Sequence, residues 1–289
     1  MKVAVVDMGS NSLHLQVVES GPQGRTTLHT ARAAVRLGDL DQGRLRPQAM
    51  QAAVTALLEF QTKAQSLGAS LHTVSATAAL RDASNGHELA HLLAPHRLQL
   101  EVLSGNDEAT LIYKGACAAL DLDAALVIDL GGRSTEFALG HGAQLEELLS
   151  LNVGHISAAQ QPDDARVAWC RRGLSGASQF FARDLPPVVL TAGTALTLGR
   201  MALVAAGLSS PADPLQGRAV PRLALERCIR EVLQHPDPTS LPGSDPRRAD
   251  TLKAGALALG CILEGLTAET LLLSRAALRE GLVERALES

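Results

Sequence analysis

Aromatic side chains are scarce in this chain of 289 residues, with one Trp, one Tyr and four Phe. Recognition by base stacking needs aromatic faces, and Trp169 and Tyr113 offer few. A partner without a nucleobase suits that shortage better. Lysine is scarce as well: Lys2, Lys63, Lys114 and Lys253 stand against twenty-two arginines. A planar guanidinium fork matches phosphate, although a GC-rich genome biases codons the same way. Neither sign of charge dominates, because 26 basic and 30 acidic side chains leave a net charge of −4. A surface that tracks a nucleic-acid backbone along its whole length is excluded, while a local basic cleft is not.

Long apolar runs are missing too. The longest, Ala254 to Leu263, is half the length of a membrane span of about twenty residues. The segment bracketed by Lys2 and Asp7 is too short for a signal peptide. The expectation is a cytoplasmic chain with no membrane partner. Cys117, Cys170, Cys228 and Cys261 lack the close pairing of zinc ligands and read as buried thiols. What is present is a core: 46% of the residues are hydrophobic and 19% charged. At roughly 100–200 residues per domain, the length predicts two domains.

The run Lys2-Val-Ala-Val-Val-Asp7, the turn Met-Gly-Ser-Asn-Ser and the alternating Leu13-His-Leu-Gln-Val-Val18 predict strand, turn, strand. A third strand is expected at residues 25–32, a long helix from Pro47 to Leu67, and strands at 71–75 and 98–103. A helix from Ser104 or Asn106 to Leu120 follows. At Ala124 the pattern restarts. Ala125-Leu-Val-Ile-Asp129 with Leu-Gly-Gly-Arg-Ser-Thr-Glu136 repeats the opening at an offset of 122 residues, matching Asp7 to Asp129, Gly9 to Gly131 and Ser12 to Ser134. The second half continues with a strand at 145–151, a helix at 163–183, a strand at 188–191 and a helix after Gly193. Two helical segments then flank a Pro-rich stretch, 235–246, that reads as a linker.

The repeat predicts two α/β lobes, residues 1–120 and 121–289. The layout resembles the actin-like phosphotransferases, whose lobes are ribonuclease H-like. That implies a duplicated two-lobed fold with an interdomain cleft. Asp-x-Gly alone is also what any tight turn uses. A Gly-rich turn lets backbone N–H groups converge on an anion, and Gly9-Ser10-Asn11-Ser12 and Gly131-Gly132-Arg133-Ser134 both qualify. Leu190-Thr-Ala-Gly193-Thr194 places a helix start after a strand, a third candidate for phosphate. Asp7, Asp129 and Glu136 would repel a polyanion unless a hard cation such as Mg²⁺ stood between them. Asp107 and Glu108 begin a helix; they either complement its dipole or supply a base to activate water.

Five ordered stretches resemble the exopolyphosphatase and guanosine pentaphosphate phosphohydrolase (Ppx/GppA) family. They are Val6-Asp-Met-Gly-Ser-Asn-Ser-Leu-His14, Ser75-Ala-Thr-Ala-Ala-Leu-Arg81-Asp-Ala-Ser-Asn85-Gly, Leu103-Ser-Gly-Asn-Asp-Glu108-Ala, Val127-Ile-Asp129-Leu-Gly-Gly-Arg-Ser-Thr-Glu136, and Arg248-Ala-Asp250 with Ala254-Gly-Ala. The resemblance spans nearly the whole chain. It implies Glu108 as catalytic base and Asp129 and Glu136, with Asp7, as holders of Mg²⁺ or the attacking water. Arg81 would bind phosphate, as would Gly9, Ser10, Asn11, Ser12, Gly131, Gly132, Ser134, Gly193 and Thr194.

Arg133 and Ala192 stand where that family usually has glycine. The stretch Gly154 to Gln160 departs from the pattern after its glycine, and the chain stops soon after Leu278-Arg-Glu-Gly-Leu282, so it resembles the short forms. The implied activity is removal of terminal phosphate from inorganic polyphosphate. Its rivals are hydrolysis of a phosphorylated guanine nucleotide (guanosine pentaphosphate), a kinase of this fold, and a catalytically weakened polyphosphate-binding or regulatory protein. A homodimer is left open.

Overall fold

A computed structural model describes residues 1–22, 24–71, 73–142, 144–181 and 184–288. The opening apolar run forms β1 (Lys2–Met8), which turns into β2 (Ser12–Gly21) and β3 (Gly24–Ala34). β1 pairs antiparallel with β2, which sets Asp7 opposite His14, and parallel with β4 (Thr73–Ala76). β4 pairs parallel with β5 (Gln99–Val102), giving the order β3-β2-β1-β4-β5. A parallel neighbour requires a crossover, and α1 (Pro47–Ser66) supplies it. Its first-turn proline needs no hydrogen-bond partner for a missing N–H. Met50, Ala53, Val54, Leu57 and Phe60 form its buried stripe against Leu13, Leu15 and Val74 of the sheet.

The second sheet repeats this plan. β6 (Ala124–Leu130), β7 (Thr135–His141) and β8 (Gln144–Leu151) form an antiparallel meander. β6 is also parallel to β9 (Val188–Thr191), which is parallel to β11 (Thr270–Leu273), and β10 (Ala219–Pro221) adds an antiparallel edge. The order is β10-β11-β9-β6-β7-β8. Counted from the last meander strand, both sheets run third, second, first, then two parallel strands. The duplication seen in sequence is therefore one of topology. The scarce aromatics are used in the second core, where Phe137 and Phe180 stack with centroids 5.6 Å apart.

The chain divides into unit 1, Met1–Leu111 with Leu278–Ser289, and unit 2, Ile112–Ala277. This differs from the expected division at residue 120. The boundary falls within α4 (Gly105–Leu120), and the last helix, α10 (Leu278–Glu288), belongs to unit 1. Arg285 pairs with Glu101 at 2.5 Å, Glu284 pairs with Arg25, and Gly281 lies against the Leu111 backbone, where a Cβ would not fit. The expected helix over 163–183 is shorter: α6 (Asp163–Leu174) gives way to a 3-10 turn at Ser175–Phe180. Gly173, Ser175 and Gly176 are poor helix formers, and the expected end, Arg183, lies outside the described residues, as does His72 of the strand expected at 71–75. Among the described residues no helix is long and apolar enough to cross a membrane. All four cysteines are free thiols, and burial pushes Cys170 and Cys228 up to about 12.

Candidate active site

The turn after β1 spends one donor on itself: the Gly9 N–H donates to the Ser12 carbonyl at 3.2 Å. The carbonyls of the turn are tied back to the segment after β3. Gly38 N–H donates to the Ser10 oxygen at 2.7 Å, and the N–H groups of Val35 and Arg36 donate to the Asn11 oxygen. A trans peptide directs its C=O and N–H to opposite sides, so the Asn11 N–H faces away from residues 35–38. Ser10 and Ser12 are buried. The Ser12 hydroxyl bonds to His14 Nε2 at 2.9 Å and accepts from Arg32 Nε at 3.1 Å.

Asp7 is part-buried at the end of β1, and burial raises its pKa to about 6, opposed by Arg279 and reinforced by Glu280. His14 across from it is lowered to about 4, by burial first and then by Arg279 and Arg32. Asp7 thus faces a neutral imidazole and not a second acid.

Glu108 and Asp107 lie in the first turn of α4. The Ser104 hydroxyl accepts from the Asp107 N–H at 3.1 Å and donates to the Asp107 carboxylate at 2.6 Å, so Asp107 serves the helix cap. Glu108 instead points to Arg81, whose Nη1 donates to its Oε2 at 3.1 Å and to the Leu103 carbonyl at 2.9 Å. Glu108 is 7% exposed, and Arg81 Nη2 is buried with no hydrogen-bond partner among the described residues. Arg81, expected to bind phosphate, is held beside the expected base. Asn85 takes no part in this pair: its amide is buried against the Leu45 backbone and Glu88.

The turn after β6 repeats the first. Gly131 N–H donates to the Ser134 carbonyl at 3.0 Å. Its carbonyls are tied to α5 (His155–Ala159), a short helix that the sequence reading did not anticipate. His155 N–H donates to the Gly131 oxygen, Ile156 and Ser157 N–H to the Gly132 oxygen, and the Ser157 hydroxyl to the Arg133 oxygen. The N–H groups of Gly132, Arg133 and Ser134 therefore point away from α5. Gly154 has no room for a Cβ, which would overlap the Gly132 carbonyl. Arg133 has no left-handed backbone, and its guanidinium reaches Gln160 at 3.5 Å.

Asp129 and Glu136 are directly opposed across β6 and β7, 9% and 1% exposed, and the Ser150 hydroxyl donates to Glu136 Oε1 at 2.9 Å. Side chains opposed in this way share a face, with Cβ atoms about 5 Å apart. Two carboxylates so placed repel one another when both are ionised, and a cation between them would offset that repulsion. The pair fits Mg²⁺, which takes one or two carboxylates and completes its shell with water or phosphate oxygens. Among the described residues no cluster of three or more His, Cys, Asp and Glu side chains could hold a metal.

The third turn opens α7 (Ala192–Ala205), whose N-cap Thr191 makes no side-chain cap. Ala192, at a position expected to be glycine, has φ +66°. The guanidinium of Arg248 occupies the space a Cβ on Gly193 would fill and donates to the Thr194 hydroxyl at 3.2 Å. Arg248 ends a 3-10 turn, Pro246–Arg248, capped by the Asp245 carboxylate. His155, 7% exposed, lies by the same group; burial and then Arg248 push its pKa down to about 3, against a hydrogen bond with the Gly131 backbone. Sequence reasoning quoted Arg248 within a motif but gave it no role. Its signal was the capped turn Asp245-Pro-Arg-Arg248, which begins at the end of the stretch 235–246 that read as a linker.

Each of the two α/β units thus has a meander whose first turn ties its carbonyls back and lies beside a carboxylate. The pattern of the Ppx/GppA phosphatase family matches residues 16–289, and the chain belongs to that family. It is 30% identical to exopolyphosphatase 1 of Mycobacterium leprae, covering all of this chain and 90% of that protein. Against exopolyphosphatase 1 of Mycobacterium bovis the identity is 28%, covering 100% and 89%. Among solved structures, an exopolyphosphatase from Cytophaga hutchinsonii superposes with a TM-score of 0.87 at 20% identity, over 100% of this chain and 98% of that one. The Aquifex aeolicus Ppx/GppA family member gives 0.82 at 23%, with the same coverage.

Proposed function

We propose that the chain is an exopolyphosphatase that hydrolyses terminal phosphate from inorganic polyphosphate with Mg²⁺. The observation that carries this reading is the pair of equivalent turns whose carbonyls are tied back while N–H groups face the other way, each beside a buried or part-buried acid. Such groups bind a terminal phosphate without reading a base. Glu108 accepts the proton of the attacking water, with the guanidinium of Arg81 holding its carboxylate in place at 3.1 Å. Arg81 Nη2 is a further donor for a phosphate oxygen. Thr194 and Arg248 offer a hydroxyl and a guanidinium at the start of α7. Asp129 and Glu136 would hold Mg²⁺, which when bound would supply positive charge to the phosphate oxygens.

Glu108→Gln tests the reading, since the amide keeps the shape but accepts no proton. Phosphate release should fall by about 10²–10⁴-fold, with polyphosphate binding retained. Asp107→Asn, which alters only the helix cap, should cost far less. A loss under about tenfold in Glu108→Gln would place the base elsewhere.

A further inference from the structure

Ion pairs tie α10 to both edges of the sheet in unit 1. Glu284 meets Arg25 on β3 at one edge, and Arg285 meets Glu101 on β5 at the other. The second of these has a third member. Arg285 Nη1 and Nη2 bond to the Glu101 carboxylate at 2.9 and 2.5 Å, and Nη2 also donates to the Ser75 hydroxyl on β4 at 3.2 Å. That hydroxyl donates in turn to Glu101 Oε2 at 3.0 Å. Ser75 and Glu101 are opposed partners in the parallel pairing of β4 with β5, so the guanidinium closes a ring across the two strands. The Arg285 and Glu101 side chains are 41% and 39% exposed, and Ser75 is buried. An ion pair so exposed adds little to stability, which turns the question to what the two strands carry.

They carry the Arg81–Glu108 pair. Beyond Ser75, β4 ends at Ala76 and passes into the short helix Ala78–Asp82, which holds Arg81. Beyond Glu101, β5 ends at Val102, and α4 follows with Glu108 in its first turn. Leu103 joins the two paths. Its N–H donates to the Ala76 carbonyl at 2.9 Å, and its own carbonyl accepts from Arg81 Nη1 at 2.9 Å, the nitrogen that reaches Glu108 at 3.1 Å. Glu101 is therefore separated by Val102 alone from the residue whose carbonyl holds Arg81. Arg25 sits on the opposite edge strand, away from this junction.

We propose that Arg285 is a positioning residue for phosphate release: by joining Glu101 to Ser75 it fixes the ends of β4 and β5 against each other, and with them the Arg81–Glu108 pair. The proposal rests on the reading of Glu108 as the base and Arg81 as a phosphate ligand, and deepens it. A guanidinium fork suits the task because paired bonds fix orientation as well as distance, which a lysine ammonium does not. Placement weighs more heavily on rate than on stability, since a displacement of about 1 Å can cost about 10²-fold.

The test compares Arg285→Met with Glu284→Gln in the full chain, since each removes one ion pair of α10. In Arg285→Met the kcat for phosphate release from polyphosphate should fall by about three- to tenfold, with KM within about twofold of the native value. Arg285→Lys keeps the charge without the fork and should recover part of the loss. Ser75→Ala, which opens the ring from its other side, should lower kcat in the same way. Glu284→Gln should change Tm about as much as Arg285→Met does, yet leave kcat within about twofold. A second readout needs no substrate: amide hydrogen exchange over residues 73–82 and 99–108 should quicken by about threefold or more in Arg285→Met and stay native in Glu284→Gln.

Equal losses of kcat in Arg285→Met and Glu284→Gln, a loss carried by KM alone, or native exchange over both segments in Arg285→Met would overturn the positioning role. A native chain that releases no phosphate from polyphosphate overturns the hydrolase reading instead. The exchange comparison then decides by itself whether Arg285 fixes the two strand ends.

Discussion

Adjacent residues in this chain have different tasks because their neighbours differ. Asp107 closes a hydrogen-bonded cap with Ser104, while Glu108, one position on, is buried against Arg81. Asp7 illustrates what burial of an acid costs. Its pKa is raised to about 6, so the folded state binds a proton that the unfolded state releases near its ordinary value. Stability is therefore untouched while both states are protonated, falls as pH rises from about 4 to about 6, and stays reduced above that.

Asp7→Asn should accordingly stabilise the chain at about pH 8 by on the order of 2 kcal/mol, with the gain vanishing near pH 4. Urea denaturation in a metal-chelating buffer reads this; a variant less stable at the higher pH, or a gain that ignores pH, would refute it. The identities of Glu108, Asp129 and Glu136 as candidates were legible from sequence. The partners were not, because Arg81 approaches Glu108 from 27 residues away and Arg248 approaches Thr194 from 54.

The hairpin is the element on which the site is built. An offset of 122 residues fixed the equivalence of the two turns, and the register extends it: His14 in β2 occupies the place that Glu136 has in β7. Among the described residues of the two hairpins, only that of unit 2 thus has an opposed acid pair. On the proposed metal role, Asp129→Asn or Glu136→Gln should raise the Mg²⁺ concentration for half-maximal phosphate release by about tenfold or more. Unchanged metal dependence in both would defeat that role.

Strands β10 and β11 escaped sequence reading because runs of three and four residues carry no period. The start of α7 holds a local strain at one of the two positions where the family usually has glycine. Ala192 sits at φ +66°, where glycine has no Cβ to clash. Ala192→Gly should raise stability by about 1 kcal/mol, read as a rise of a few degrees in Tm. A fall in Tm would show that the turn tolerates Ala192 without strain.

At the scale of the molecule, the two-lobed plan was legible because duplication repeats a pattern that local propensity alone cannot. The division between units was not, since α10 joins unit 1 through Arg285, Glu284 and Gly281, contacts that no periodicity announces. Family membership is settled by the match over residues 16–289; the substrate within the family is the central claim. It is tested most directly by measuring phosphate release from long polyphosphate, guanosine pentaphosphate and ATP in parallel, with Mg²⁺ present. Polyphosphate should be hydrolysed with the highest kcat/KM, as expected of turns that present N–H donors and arginines with few aromatic faces nearby. Faster release from guanosine pentaphosphate or ATP, or none from polyphosphate, would contradict it.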